Sequence, residues 1–263
     1  MKRILLISLL LLAVICTVSA DRRRLLMMRD VASAAYSPSD TANLFAWYKS
    51  DALVTNLIST DVVAEGTNII AWGDSSGNGR HLTTNNPTAS AQLFKGTAAT
   101  GKAQGGIERI TQFLRVGFTA QPDTTCFVVW RIATGATVAI PFDSTNSAAR
   151  QLVYKSSLAR PAISAVTEQV SPGAIVNPSW NIICGVFNSA GDDSLYTNGV
   201  AFSTALTAGS QSLDGLTLLT SFNNNGPMSS GEYIGEVIVY NRNLNSTEIG
   251  QVHTYINGRW SIY

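Results

Sequence analysis

From Leu44 onward the chain is a succession of short apolar runs, each broken after a few residues by Gly, Asn, Asp or Pro. Apolar runs of that length, punctuated at near-regular spacing by turn formers, are the pattern of an all-β domain. The spans that read as strands are Leu44–Tyr48, Ile69–Trp72, Gln112–Val116, Thr125–Ile132, Ala136–Phe142, Gln151–Lys155, Ala162–Val166, Trp180–Phe187, Asp193–Thr197, Val200–Thr204, Leu216–Ser221 and Tyr233–Tyr240. So many strands with no helices between them predict an antiparallel two-sheet sandwich closed on one core. Asn198-Gly199 tolerates the positive φ angles of a tight hairpin turn, and so pairs Asp193–Thr197 with Val200–Thr204.

One segment breaks the texture. Tyr233–Tyr240 is apolar on both faces, as a strand covered on both sides should be. After it, Asn245-Ser246-Thr247-Glu248 supplies a helix N-cap with a Glu three residues on. Ile249, Val252, His253 and Ile256 then fall on one helical face, and Gly258 is the expected end. A helix this short must dock on the sandwich to be stable.

At the other end, Lys2 and Arg3 precede the apolar run Ile4–Cys16, and Val18-Ser19-Ala20 supplies small residues. The run is short for a membrane span, so residues 1–20 read as a secretory signal peptide cleaved after Ala20. Arg22-Arg23-Arg24 keeps an uncleaved anchor open, because positive charge beyond the run resists translocation. Residues 21–40 read as a flexible leader and residues 41–263 as the domain. Of 18 basic residues, Lys2 and Arg3 fall in the signal, leaving 16 against 17 acidic. A chain so balanced lacks the positive field that nucleic-acid binding requires.

Several stretches, in order, resemble a known family. They are Leu44–Ala52, Trp72–Gly79, Phe113-Leu114, Thr125–Val129, Trp180–Phe187 with Tyr196–Gly199, and the final strand, Asn-Arg-x-Leu turn, capped helix and Trp260. Together they look like the laminin G-like, pentraxin-related jelly rolls of the concanavalin A-like lectin/glucanase superfamily. The resemblance covers residues 44–263 and implies two curved antiparallel sheets closed by the last strand and helix. It also implies a disulfide between Cys126 and Cys184, whose strands resemble the bridged pentraxin pair; two buried free thiols are the alternative. The superfamily holds both sugar-binding modules and glycosidases, so local chemistry has to decide between them.

Retaining glucanases on this fold resemble one another in a strand bearing Glu-x-Asp-x-x-Glu, which places acid and nucleophile about 5 Å apart on one face. Glu232 and Glu236 have the spacing of a shared face without the intervening Asp, and read as exposed, cross-strand-paired carboxylates. His81 and His253 have no zinc-ligand spacing and no nucleophile elbow nearby, and read as ordinary polar residues. The oxygen-rich loop Gly73–His81 nominates Asp74 and Asn78 as ligands of calcium, completed by a remote acid such as Asp51; a plain glycine-rich turn is the alternative. No cofactor is required. The five tryptophans sit in apolar runs and read mainly as core, while Ser221–Gly226 has the amide-plus-aromatic composition that suits sugars. The readings that follow are a secreted, non-catalytic glycan-binding or adhesion module, a self-associating structural subunit, and a glycoside hydrolase on the same fold.

Overall fold

The computed structural model describes residues 36–52, 54–55, 68–84, 91–96, 102–109, 113–133, 138–173 and 179–263. The expected signal peptide, the leader as far as residue 35, Gln112 and residues 136–137 lie outside the described residues. The strands in chain order are β1 (Leu44–Lys49), β2 (Val54–Thr55), β3 (Asn68–Ile69), β4 (Ala71–Trp72), β5 (Leu82–Thr83), β6 (Ala91–Gly96), β7 (Lys102–Glu108), β8 (Leu114–Gln121) and β9 (Thr124–Ile132). There follow β10 (Ala139–Asp143), β11 (Leu152–Lys155), β12 (Pro161–Ser164), β13 (Glu168–Val170), β14 (Ser179–Phe187), β15 (Asp193–Thr197), β16 (Val200–Leu206), β17 (Leu213–Leu218), β18 (Tyr233–Tyr240) and helix α1 (Ser246–Trp260).

They form two antiparallel sheets, as the strand pattern predicts. The first runs β16-β15-β14-β9-β18-β7-β6-β3, with β1 also paired to β18; the second runs β13-β12-β11-β10-β17-β8-β5-β4-β2. Alternate residues of each strand meet between them: Cys126, Val128 and Trp130 from β9, Val237 and Val239 from β18, Leu114 from β8, and Leu216 and Leu218 from β17 are all in the shared core. Asn198 and Gly199 turn the predicted hairpin with φ of 51° and 79°, Thr197 facing Val200. Pro38–Asp40 form a short 3-10 turn inside the expected leader, and the Pro38 carbonyl accepts the Tyr240 hydroxyl at 2.9 Å.

Helix α1 lies on the outer face of the first sheet. Asn245 accepts from the backbone of Thr247 and Glu248, and Glu248 returns a bond to the Asn245 N–H, all at 3.0 Å. This is the predicted capping box. Ile249, Val252, His253 and Ile256 are buried as the spacing predicts, but Gly258 does not end the helix. It runs on to Trp260 and closes on Ser261 in the left-handed conformation, φ 46° and ψ 59°. The cause is tertiary. The Trp260 ring lies over Gly235, where a Cβ would sit 2.2 Å from the ring, and the last turn has to form to put it there.

The strand pairing overturns the expected disulfide. Cys126 faces Gly185 across the β9–β14 ladder, while Cys184 faces Phe127. That offset of one residue sends the two side chains to opposite faces of the sheet. Cys126 lies in the core between the sheets, and Cys184 lies on the helix side with its cross-strand partners Phe127 and Tyr196. Both are free, buried thiols. Burial pushes Cys126 up to about 12 and Cys184 well above the ordinary thiol value.

Candidate functional site

Glu232 and Glu236 are both wholly buried, contrary to the exposed pair expected from their spacing. Glu236 lies beneath α1, where it accepts from the Trp47 indole at 2.7 Å, the Trp260 indole at 2.8 Å and Arg259 Nε at 3.1 Å. Glu232 turns the other way. It accepts the Ser229 N–H at 2.8 Å, and Lys155 Nζ stands 3.7 Å from its Oε1, both side chains fully enclosed. Burial raises the Glu232 carboxyl above its usual range and lowers the Lys155 ammonium below its own, each opposed by the partner charge. The two acids therefore do not share a face, and neither fits the acid and nucleophile roles of glycoside cleavage.

The Gly73–His81 loop is organised by Asp74, but inward. Its carboxylate accepts from Trp47 N at 3.0 Å, Ser76 N at 2.8 Å, Ser76 Oγ at 2.8 Å and Arg80 N at 3.1 Å, leaving little lone-pair capacity for a cation. Asn78 turns its amide nitrogen to the carbonyls of Leu44 and Phe45 at 2.9 and 3.1 Å. Asp51 is held by Arg259 at 3.0 Å and does not join the loop. These bonds make Asp74 and Asn78 a clamp between the loop and β1; among the described residues no group of three His, Cys, Asp or Glu side chains is placed to hold a metal. His81 accepts the Asp74 N–H through Nδ1 at 3.0 Å, while His253 is buried with neither ring nitrogen bonded. All five tryptophans are buried, so none offers an open stacking face.

The outer face of the second sheet differs from this. Thr83, Arg115, Thr217 and Asp143 form a row across β5, β8, β17 and β10, alternating with core residues Leu114, Leu216, Leu218 and Phe142. Asp143, wholly buried, grips Arg150 through both Nε and Nη2 at 2.9 to 3.2 Å and accepts the Phe222 N–H at 3.0 Å. Arg115 donates Nε to Thr217 at 2.9 Å and Nη2 to the Phe222 carbonyl. Both backbone groups of Phe222 are thereby fixed, and the Arg150 guanidinium lies 5.0 Å from the Phe222 ring centroid.

The 221–226 loop is folded by its own polar groups. Ser221 Oγ donates to Asn223 at 2.7 Å and accepts the Asn225 N–H at 2.8 Å, with Asn224 and Gly226 at φ of 63° and 64°. Between the loop and Arg150 is a depression of about 390 Å³ whose lining includes Val138, Ile140, Asn223 and Asn225. A second, of about 430 Å³, lies beside Arg115 and Phe113. Composition singles out the loop but not Asp143, Arg150 or Arg115. The one available signal was the polar return Ser144–Ala149 between an acid and a base, and it names no partner.

No protein-family model matches the chain, and no curated protein does. Solved structures do. Domain 4 of AbnA, an extracellular GH43 arabinanase from Geobacillus stearothermophilus in complex with arabinotriose, aligns with 80% of this chain and 98% of its own at a TM-score of 0.54 and 13% identity. The binding domain of botulinum neurotoxin serotype D aligns with 81% of this chain and 52% of its own, TM-score 0.55 and 9% identity. A Trypanosoma rangeli sialidase in complex with sialic acid aligns with 82% of this chain and 33% of its own, TM-score 0.52 and 13% identity. The chain thus spans about a third of the sialidase and half of the toxin structure. Likeness at such identity establishes the two-sheet β-sandwich fold and nothing finer.

Proposed function

We propose that this chain is a secreted, non-catalytic glycan-binding module of the concanavalin A-like superfamily, of laminin G-like type, released by cleavage after Ala20 and serving adhesion or attachment. The observation that carries the reading is the platform around Asp143: a buried carboxylate holds a guanidinium and a phenylalanine beside an asparagine-rich loop, on the sheet face the helix leaves open. Amides and guanidinium pair hydroxyls, and the half-buried ring covers an apolar sugar face. A binding role is supported by the arabinotriose and sialic acid complexes among structures of similar fold. Absence of cleavage is supported by the separation of Glu232 from Glu236 and by the saturation of Glu236.

Purified protein is incubated with algal, bacterial and animal polysaccharides, and retention and reducing ends are measured together. Retention lost in Phe222→Ala, without new reducing ends, is expected. Reducing sugar released by the wild type but not by Glu236→Gln would make it a hydrolase. No retention, with a multimer in light scattering, would make it an assembly subunit.

A further inference from the structure

We propose that the depression beside Arg150 selects a sugar bearing a carboxylate, a uronic or sialic acid, over its neutral counterpart. This rests on the glycan-binding reading and names the ligand class of the same site. Arg150 has two of its three guanidinium nitrogens turned to Asp143, and its side chain is 31% exposed. Nη1 keeps its donors without a protein partner among the described residues. A guanidinium only donates, so what completes it has to be an acceptor. No Asp or Glu among the described residues lines the depression to compete for it, since Asp143 lies wholly buried behind the arginine. The remaining polar lining consists of Ser221, Asn223 and Asn225, which suit hydroxyls.

A carboxylate on Nη1 brings a charge opposite to that of the guanidinium and can take two of its N–H groups at once, neither of which a hydroxyl does. It also comes to an arginine whose rotamer is already fixed by Asp143 and by the Phe222 ring, so little order is lost on binding. Arg115 is a second ordered guanidinium near Phe222, held by Thr217 and the Phe222 carbonyl rather than by an acid. Its guanidinium lies 4.6 Å from the Phe113 ring centroid and lines the second depression, again with no acid among the described lining residues. Both guanidiniums thus contact Phe222, one at its carbonyl and one at its ring.

The test compares glycans that differ only in charge. Polygalacturonate is set against its fully methyl-esterified form, and sialyllactose against lactose, in titrations with the full chain at low and high salt. Free acid in at least one pair is expected to bind about tenfold more tightly than its neutral counterpart, with the gap narrowing as salt rises. Arg150→Gln should abolish the difference while thermal unfolding shows the fold retained. Which pair responds distinguishes a uronate from a sialate ligand. Equal binding of acid and neutral forms, lost in Phe222→Ala, would overturn the carboxylate inference and leave the glycan module standing. No binding in any arm would overturn both.

Discussion

His253 offers a measurable test of how α1 is docked. The ring is 2% exposed, stands edge-on to Phe127 with centroids 5.4 Å apart and near Tyr196 at 6.3 Å, and neither nitrogen has a hydrogen-bond partner. Burial holds its pKa down at about 4, against 6.5 for the free side chain. A histidine depressed in this way favours the folded state fully above pH 6.5, because only the unfolded chain takes up the proton readily. The advantage is lost as pH falls from 6.5 towards 4. The difference between those values, at 1.36 kcal/mol per unit, amounts to about 3 kcal/mol.

The measurement is urea unfolding of wild type and His253→Leu at several pH values from 7.5 to 4.5. The leucine variant should match or exceed the wild type at neutral pH, since it removes a buried donor with no acceptor. Its advantage should then grow by about 2 kcal/mol or more on acidification. A constant difference between the two proteins across that range would refute the reasoning, and would mean that His253 is hydrated or hydrogen-bonded in solution.

Lys155→Ala should destabilise the protein by about 3 to 5 kcal/mol by leaving Glu232 buried without its cation, whereas Lys155→Met with Glu232→Leu should be close to neutral in the same urea assay. Cys126 and Cys184 should both be alkylated in unfolded, unreduced protein and protected in the folded state, as read by intact mass. Gly235→Ala should cost about 1 to 3 kcal/mol by pushing the Trp260 ring off β18, seen as a shift in tryptophan emission and a lower unfolding midpoint. Asp74→Ala should lower the unfolding midpoint equally with and without calcium, because the carboxylate serves backbone donors; a calcium-dependent difference would restore the metal reading.

What the sequence revealed was what local pattern governs. The capping box, the Asn198-Gly199 hairpin and the doubly apolar β18 each have a local cause, and each stands where the residues placed it. β7 was missed because Lys102–Glu108 carries two glycines and several polar residues and has poor strand propensity. Its Gly106 nonetheless belongs in the sheet, since a Cβ there would come within 2.7 Å of Tyr233. Gly258 misled for the converse reason: a good terminator was overruled by the anchoring of Trp260 beyond it. The disulfide failed on a single residue of register, which no separation of cysteines along the chain encodes. Asp143 and Arg150 flank one short return, but Arg115 and Phe222 come from distant parts of the chain, and only strand pairing brings them to that return.

Three buried carboxylates each gather donors into a hub, and the comparison among them locates the open site. Asp74 takes only backbone N–H groups and a neighbouring hydroxyl, so its hub ends in the loop it ties. Glu236 takes two indoles that are themselves buried, and the arginine it shares is turned by Nη2 to Asp51, so this hub closes the helix onto the sheet. Asp143 holds a guanidinium with donors to spare and a half-buried ring, and no acid among the described residues lines the depression beside them, whereas Arg259 already faces Asp51. A buried acid that fixes partly exposed groups without reaching solvent itself lends them order and leaves their outward chemistry free. Asp143→Asn should therefore weaken glycan binding by letting Arg150 and Phe222 move apart, while Glu236→Gln, at a hub of similar construction, should loosen the helix and leave the binding face unchanged.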